Sequence, residues 1–519
     1  MLDGRELALD AVEQVAGQGA RTSLDVSARE RMEVSRRVVE RAVEEGRVVY
    51  GVTTGFGRLA DTIIPHEEIR ALQVNLLRSH AAGVGGAFDE PTARAIMLLR
   101  ANTLAGGFTG VRPVVCERLL ECLNAGVYPR IPCQGSVGAS GDLAPLAHLG
   151  LVLIGEGEAW APAASRWAPA AEVLRAAGIE PLQLEAKEGL ALVNGTQVMT
   201  AIGALALLRA ERLVEAAEVA GALSLEAMCG TRTAFREEIH AARPHPGQVA
   251  SAARLRALLG DTSGIAQSHA DCAKVQDAYS LRCMPQVHGA VRDALGYVRR
   301  VLEIEINAAT DNPLVFAAAG GEDGDVVSGG NFHGAPVAAA LDFLAIALVD
   351  LAAISERRTA ALTDPAVSDL PAFLTERAGL QSGFMIHQVT AAALVSESKT
   401  LAHPASVDTI PTSANKEDHV SMGAWAARKA AMVLANAERV LAIELLAAAQ
   451  GIDLRRPLTT SLALEEAHRR IRERVPFLDA DRPGGPDIEA AAALIRSDAF
   501  RELGRPKIEP TKRRPPTKS

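Results

Sequence analysis

The fold of this chain is decided by the stretch Thr200-Ala-Ile-Gly-Ala-Leu-Ala-Leu-Leu-Arg-Ala-Glu-Arg-Leu-Val-Glu-Ala-Ala-Glu-Val-Ala-Gly-Ala-Leu223. Its apolar residues recur at three- and four-residue spacing, which is the period of an α-helix. Alanine and leucine, which are good helix formers, dominate its composition. The stretch therefore predicts one long helix.

The same pattern recurs through the second part of the sequence. It predicts further long helices over residues 283–306, 333–358, 386–401 and 422–449. Aromatic residues make up only 3% of the 519 residues, and this scarcity favours close-packed helices over sheets. Several of these helices are apolar nearly all round, so we expect them in the centre of a bundle or at a subunit contact. The expected fold class is mainly α, built on a long-helix bundle.

Residues 1–200 have a different texture, in which short helices such as 72–80 and 143–149 alternate with Gly/Pro-rich turns. We expect a mixed, loop-rich domain over residues 1–200 and the bundle over 201–500. Residues 501–519 hold seven Lys/Arg against two Asp/Glu, with four prolines, which predicts a disordered basic tail. A solvated terminus is the preferred interpretation of this tail, and nucleic-acid binding is the alternative.

Composition excludes several classes of partner. The net charge of −9 provides no general footprint for nucleic acid or an acidic membrane. The six cysteines form no Cys-x-x-Cys pair, so neither a zinc site nor a disulfide framework is indicated, and their sparseness suits the cytoplasm. The apolar run 335–354 contains Asp342 and Asp350, which predicts a buried helix rather than a membrane span. The N-terminus lacks signal-peptide regions, and no nucleotide-binding loop is found.

One segment has the composition needed to build an electrophile from the backbone. It is Gly135-Ser-Val-Gly-Ala-Ser-Gly-Asp-Leu-Ala144. If the amide nitrogen of Gly141 attacked the Ala139 carbonyl and two waters were lost, Ser140 would become a dehydroalanine in a five-membered ring. Such a reaction needs a compressed turn, and Gly141 has no Cβ to block it. The alternative is a plain turn in which Ser140 or Asp142 caps the next helix.

Five further clusters are polar where a bundle should be apolar. They are Tyr50; Ser79-His80; Leu192-Val-Asn-Gly-Thr-Gln197; Val275-Gln-Asp-Ala-Tyr-Ser-Leu-Arg-Cys283; and Gly329-Gly-Asn-Phe-His333 together with Ser413-Ala-Asn-Lys-Glu-Asp-His-Val420. If the fourth cluster is helical, Gln276, Tyr279 and Arg282 share one face and can hold an amino-acid carboxylate. Each cluster alone also has a structural interpretation, as a packing residue, a turn or a helix cap.

Taken together, these segments resemble the aromatic amino acid ammonia-lyase family. The similarity runs in family order through Tyr50-Gly-Val-Thr-Thr-Gly-Phe56, Ser79-His80, Gly138-Ala-Ser-Gly-Asp142, Leu192-Val-Asn-Gly-Thr-Gln197, residues 275–289, Thr310-Asp-Asn-Pro-Leu314, Gly330-Asn-Phe-His333 and Glu417-Asp-His-Val-Ser-Met422. The resemblance implies a long-helix bundle of the fumarase/aspartase-like architecture, with a loop-rich N-terminal domain. It also implies a 4-methylideneimidazol-5-one (MIO) group formed from Ala139, Ser140 and Gly141, and a homotetramer whose active sites draw on several subunits.

The resemblance also implies roles for individual residues. Tyr50 would be the catalytic base that removes the β-proton, Asp142 would assist ring formation, and Tyr279 and Glu417 would be catalytic. The groups around the MIO ring and the amino and carboxylate ends of the substrate would be Asn194, Gln276, Tyr279, Arg282 and Phe332. No metal or nucleotide is expected.

The expected substrate depends on two of these positions. His80 can hydrogen-bond either an imidazole or a phenol, whereas the carboxylate of Glu417 favours an imidazole. The resemblance therefore implies elimination of ammonia from L-histidine to give trans-urocanate. Lys416, where relatives acting on histidine commonly have Gln, would either pair with Glu417 or point into solvent, and solvent is preferred.

Several other functions compete with this interpretation. A tyrosine ammonia-lyase or tyrosine 2,3-aminomutase would use the same MIO group. A fumarase- or aspartase-like lyase would need a Gly-Ser-Ser-x-Met-Pro signature, which is not found. A non-catalytic helical scaffold would be expected to lack one of the key residues, and all of them are present.

Overall fold

The computed structural model describes residues 1–271, 275–318 and 323–504. Within them lie the α-helices α1 Leu9–Gln18, α2 Val26–Glu44, α3 Ile69–His80, α4 Glu90–Ala105, α5 Pro113–Asn124, α6 Leu143–Leu153, α7 Ala170–Ala176, α8 Glu188–Val193, α9 Gln197–Ala227, α10 Glu237–Ala241, α11 Pro246–Leu259, α12 Gly264–Ser268, α13 Tyr279–Arg282, α14 Met284–Glu305, α15 Ala335–Thr363, α16 Pro365–Ser368, α17 Met385–Leu401, α18 Gly423–Leu454, α19 Leu462–Arg472 and α20 Gly485–Arg496. The strands are β1 Val84–Ala87, β2 Pro132–Gln134, β3 Glu158–Ala161, β4 Arg166–Pro169, β5 Leu314–Ala317 and β6 Gly324–Val327. They form three separate antiparallel pairs, β1–β2, β3–β4 and β5–β6.

The chain divides into two compact units that interleave along the sequence. The first unit comprises residues 1–208, 296–345 and 402–431. The second unit comprises residues 209–295, 346–401 and the chain from 432 onward. The division into domains 1–200, 201–500 and 501–519 stays a prediction, and residues 505–519 of the predicted tail lie outside the described residues.

The first unit is organised around α4. Asp89 caps this helix by accepting from the Thr92 N–H at 3.1 Å, and Pro91 occupies its first turn, where a missing N–H does no harm. All residues from Ala93 to Ala105 are buried, and α4 packs against α1, α2 and α5. Beside it, α6 packs against α3 and α8, so the segment that precedes α6 enters the interior of the unit.

The second unit contains ion pairs in its interior. Glu444 accepts hydrogen bonds from Ser224 and from Arg358, and the side chains of Arg358 and Glu444 are fully buried. Burying both charges is tolerable because each side chain is hydrogen-bonded to the other. In the same unit α11 packs against α10 and α19.

The predicted helices are confirmed, with shifted ends. The stretch 200–223 belongs to α9, 333–358 to α15, 386–401 to α17 and 422–449 to α18. Residues 283–306 form most of α14, which begins at Met284, after the short helix α13. The mainly α fold class is therefore confirmed, because helical periodicity is a local property of the sequence.

Helix α15 is long and apolar enough to cross a membrane by length and composition. About 56% of its most apolar window is buried within the protein. In the first unit its Asp342 pairs with Lys429 at 3.1 Å and accepts from the Ser406 N–H at 2.7 Å. Lys429, from a distant part of the sequence, therefore supplies a counter-charge to Asp342 within the protein.

Candidate active site

The segment between β2 and α6 forms a tight turn with unusual backbone angles. Ser140 has a φ of 49° and Gly141 a φ of 78°, both in the left-handed region. A Cβ placed on Gly141 would approach the Gly195 oxygen to 2.1 Å. Only glycine is therefore compatible with position 141, for steric as well as conformational reasons.

A second segment clamps this turn from both sides. The Gly195 N–H donates to the Ser140 oxygen at 3.2 Å, and the Asp142 N–H donates to the Gly195 oxygen at 2.8 Å. These two hydrogen bonds hold the backbone carbonyls of Ser140 and Gly195 in place beside each other. The turn fits the expected ring, because Ser140 and Gly141 have left-handed backbone angles, position 141 admits only glycine, and Gly195 holds both sides of the turn by hydrogen bonds.

Asp142 anchors the turn to α9. Its carboxylate accepts from the N–H groups of Val198 and Met199 at 3.1 and 2.9 Å, in the first turn of that helix. Ser136 donates to its other oxygen at 3.1 Å. Burial raises the pKa of Asp142 to about 6, against the lowering effect of these hydrogen bonds. The carboxylate is held at a helix N-terminus, where negative charge is favoured.

The turn opens into a cavity of about 710 Å³ within the first unit. Five of the predicted residues line it together: Tyr50, His80, Ser140, Asn194 and Glu417. Its lining also includes the apolar side chains of Leu72, Leu76, Leu143, Leu190 and Val193. An apolar pocket with a few convergent polar groups is the usual form of a small-molecule site.

Tyr50 lies immediately before the glycine-rich loop of residues 51–57. Its phenolic oxygen accepts a hydrogen bond from the Gly57 N–H at 3.2 Å. This hydrogen bond fixes the position of the phenolic oxygen relative to the loop. The structure thus supplies Tyr50 with a donor from its own loop.

The polar end of the cavity contains an imidazole and a carboxylate. His80 Nδ1 lies 3.0 Å from the Leu76 oxygen, so that Nε2 is left as an acceptor when Nδ1 donates. Burial lowers the pKa of His80, while the Leu76 hydrogen bond and the charge of Glu417 act in the opposite direction. His80 is therefore a neutral hydrogen-bonding group at neutral pH.

Glu417 is held by a residue that the sequence analysis missed. Thr412 donates its hydroxyl to Glu417 Oε2 at 2.6 Å, and the two residues also pair through their backbones. The other oxygen, Oε1, lies 3.4 Å from the Ser140 hydroxyl. Lys416 is exposed and does not line the cavity, as preferred from the sequence.

Apart from Ala139, Gly141 and Asp142 of the turn itself, four predicted residues are not among those that line the cavity. Phe332 belongs to the first unit and is half-buried. Gln276, Tyr279 and Arg282 belong to the second unit, where the Arg282 guanidinium lies 4.5 Å from the centre of the Tyr279 ring. Tyr279 is 71% exposed.

Two buried polar residues near the site were also missed. Asn312 accepts at its carbonyl from the Asn194 side chain at 2.8 Å and lines the cavity. Its motif, Thr310-Asp-Asn-Pro-Leu314, was noted in the sequence without a role. Arg100 donates to the Asn194 backbone oxygen at 2.7 Å, and the occurrence of a basic residue within an apolar helical run was the available signal.

Comparison with known proteins identifies the family. The profile described as aromatic amino acid lyase matches residues 7–473. The chain belongs to the aromatic amino acid lyase family. A histidine ammonia-lyase of Anaeromyxobacter sp. (strain K) is 57% identical over 501 residues, which cover 95% of this chain and 98% of that protein.

Solved structures of the family share the fold. The crystal structure of histidine ammonia-lyase from Trypanosoma cruzi is 46% identical, with a TM-score of 0.89, covering 97% of this chain and 94% of that one. The tyrosine aminomutase from Streptomyces globisporus is 41% identical, with a TM-score of 0.90, covering 96% of this chain and 97% of that one. This aromatic amino acid lyase is a carbon–nitrogen lyase. Within the described residues no group of three or more His, Cys, Asp or Glu is placed to hold a metal ion.

Proposed function

We propose that this aromatic amino acid lyase eliminates ammonia from L-histidine to give trans-urocanate, the reaction of a histidine ammonia-lyase and the first step of histidine degradation. The observation that carries the proposal is the presence of His80 and Glu417 in one cavity with Ser140 and Tyr50. An imidazole both donates and accepts hydrogen bonds, and this pair offers it a neutral ring and a carboxylate.

The prosthetic group of the proposed enzyme is MIO, formed from Ala139, Ser140 and Gly141. The left-handed turn and its clamp by Gly195 support this assignment. When formed, the group supplies a strong neutral electrophile, which ordinary side chains lack, to the amine of the substrate. Asp142, buried at the N-terminus of α9, keeps the turn in the geometry that ring closure requires.

The side chains of the cavity perform the remaining chemistry. Tyr50, with its oxygen held by the Gly57 N–H, takes the β-proton of the substrate. Glu417 accepts from the substrate imidazole, and a charge-assisted hydrogen bond of this kind contributes about 1.5–3 kcal/mol. The side chain of Asn194 is positioned by Asn312 and contacts the amino or carboxylate end.

In the proposed enzyme the remaining groups come from other copies of the chain in a homotetramer. Tyr279 and Arg282 are exposed or partly exposed in the second unit, and the guanidinium suits an amino-acid carboxylate. Gln276 and Phe332 would enter in the same way. Among the described residues, Cys116, Cys122, Cys133 and Cys283 are free cysteines, in keeping with the cytoplasm as the proposed compartment.

The experiment that tests the proposal is incubation of the purified protein with L-histidine and, separately, with L-tyrosine. We expect urocanate from L-histidine, detected by its ultraviolet absorbance and by chromatography. Coumarate or β-tyrosine without urocanate would overturn the proposal. Those products would instead support a tyrosine lyase or aminomutase, the alternative favoured by the similarity to a tyrosine aminomutase.

A further inference from the structure

We propose that Arg100 is a positioning residue for the electrophile, acting through the peptide group between Asn194 and Gly195. Neither family similarity nor the roles proposed above assign this residue a function. The inference rests on the proposed function, since it concerns the turn that would form the MIO group.

Arg100 reaches the site from the central helix α4. Its side chain is fully buried, and Nη1 donates to the Asn194 oxygen at 2.7 Å and to Gln197 Oε1 at 2.8 Å. Gln197 is itself held in place, because its amide donates to Thr103 and Thr310 at 3.0 and 2.6 Å. The guanidinium therefore has a defined orientation against one carbonyl.

That carbonyl and the donor to the reactive turn belong to one peptide group. Arg100 binds the Asn194 oxygen, and the N–H on the other side of the same peptide, that of Gly195, donates to the Ser140 oxygen at 3.2 Å. A cation on a peptide oxygen polarises the peptide and strengthens its N–H as a donor. Arg100 thus fixes the plane of this peptide and strengthens the hydrogen bond from the Gly195 N–H to the Ser140 backbone oxygen.

The charge of Arg100 is available for this purpose. Burial lowers the pKa of Arg100 to about 10, so the guanidinium remains positive at neutral pH. The nearby Asp311 pairs with Lys187 at 2.6 Å, and within the described residues no carboxylate lies at ion-pair distance from Arg100. Its Nε and Nη2 atoms have no hydrogen-bond partner in this part of the protein. A buried cation without a counter-ion is costly, which argues for a role beyond stability.

The reacting atom that benefits is the Ser140 oxygen. When a nucleophile adds to a methylidene conjugated with this carbonyl, its electron pair forms the new bond, and the electrons of the double bond move onto the oxygen. A preorganised donor at that oxygen stabilises the developing negative charge. The same donor holds the turn while Gly141 approaches Ala139.

The test compares Arg100→Met and Arg100→Lys with Arg94→Met. Arg94 is a matched control, since it is also buried in α4 but donates only to the carbonyls of Val15 and Leu123. Intact mass spectrometry measures the fraction of each purified protein that has lost two waters. Sodium borohydride then adds two hydrogens to the double bond, and the rate of this mass gain reports electrophile strength without substrate.

We expect Arg100→Met to form less of the dehydrated species and to react with borohydride about tenfold to a hundredfold more slowly. Arg100→Lys keeps the charge with a poorer geometry and should be intermediate, while Arg94→Met should match the unmodified chain. Equal dehydration and reaction rates in all variants, or equal losses in Arg94→Met and Arg100→Met, would overturn the inference. Absence of the two-water loss in the unmodified chain would instead defeat the proposed function.

Discussion

At Gly141 the backbone leaves no room for a side chain. The left-handed φ of 78° and the approach of the Gly195 carbonyl both act at this one residue. Sequence reasoning identified the need for a glycine from the ring chemistry alone. The sequence did not predict the hydrogen bonds from Gly195 to this turn, because residues 141 and 195 come together only through folding.

The first prediction concerns this glycine. We expect Gly141→Ala to lose the two-water mass change and to lower turnover of L-histidine by about 100-fold or more, because the turn must move to admit a methyl group. Intact mass and initial rates check this. Gly17→Ala is the control, since a Cβ at that position of α1 would meet nothing within 4 Å. A fully dehydrated and active Gly141→Ala protein would contradict the steric argument.

A second residue-scale prediction concerns Thr412. Thr412→Val keeps the shape of the side chain but removes the hydroxyl that donates to Glu417. We expect KM for L-histidine to rise about tenfold, with a smaller change in kcat, because the carboxylate is no longer oriented. Steady-state kinetics of Thr412→Ser, which restores the donor, should return KM close to its original value. An unchanged KM in Thr412→Val would show that Glu417 needs no such support.

At the scale of elements, the local sequence predicts where a helix forms, whereas contacts with distant residues decide where it begins. Helix α9 extends three residues before its predicted start, to Gln197. The added turn is stabilised by Asp142, which accepts from two of its free N–H groups. Such a cap from a distant segment is invisible in the local pattern, so the periodicity predicted the helix but not its first turn.

Helix α14 carries a buried imidazole with consequences for pH. His288 is fully buried, and burial, with the charges of Arg358 and Arg292, lowers its pKa well below 6.5. Within the described residues neither ring nitrogen has a hydrogen-bond partner. The unfolded chain therefore binds a proton at this residue at a higher pH than the folded chain does.

The resulting prediction has a definite sign. As pH falls below 6.5, protonation of His288 in the unfolded chain should reduce the free energy of unfolding, by up to about 1.4 kcal/mol per pH unit. His288→Leu should remove this contribution. The free energy of unfolding of the unmodified chain minus that of His288→Leu should therefore decrease on acidification. Urea unfolding at pH 7.5 and 5.5 measures it. A stability difference independent of pH would contradict the assignment of a neutral imidazole.

At the scale of the whole molecule, the cavity in one chain holds only part of the predicted site. Tyr50, His80, Ser140, Asn194 and Glu417 line it, whereas Tyr279 and Arg282 are not among its lining residues. Under the proposed function a second copy supplies them. Under that proposal, activity depends on assembly.

Co-expression of two inactive variants tests this dependence. Tyr50→Phe and Arg282→Met should each abolish most activity. If the two residues come from different subunits, oligomers assembled at random from equal amounts of the two variant chains should combine an intact Tyr50 with an intact Arg282 in about a quarter of their sites. We therefore expect substantial recovery of urocanate formation in the mixed oligomer. No recovery would mean that both residues act within one chain.

The sequence by itself determined the helical fold class and predicted the turn at residues 139–141 as the reactive segment. Both depend on neighbours in the chain: the three- and four-residue spacing of apolar residues in α9, and a glycine beside a serine at 140–141. Family resemblance added the prediction that His80 and Glu417 select the substrate. Only the tertiary structure decided that Thr412 orients Glu417, that Asp142 caps α9 and that Arg100 binds the Asn194 carbonyl. The last two contacts join residues far apart in the chain, and packing of buried helices, which no local pattern encodes, brings such partners together.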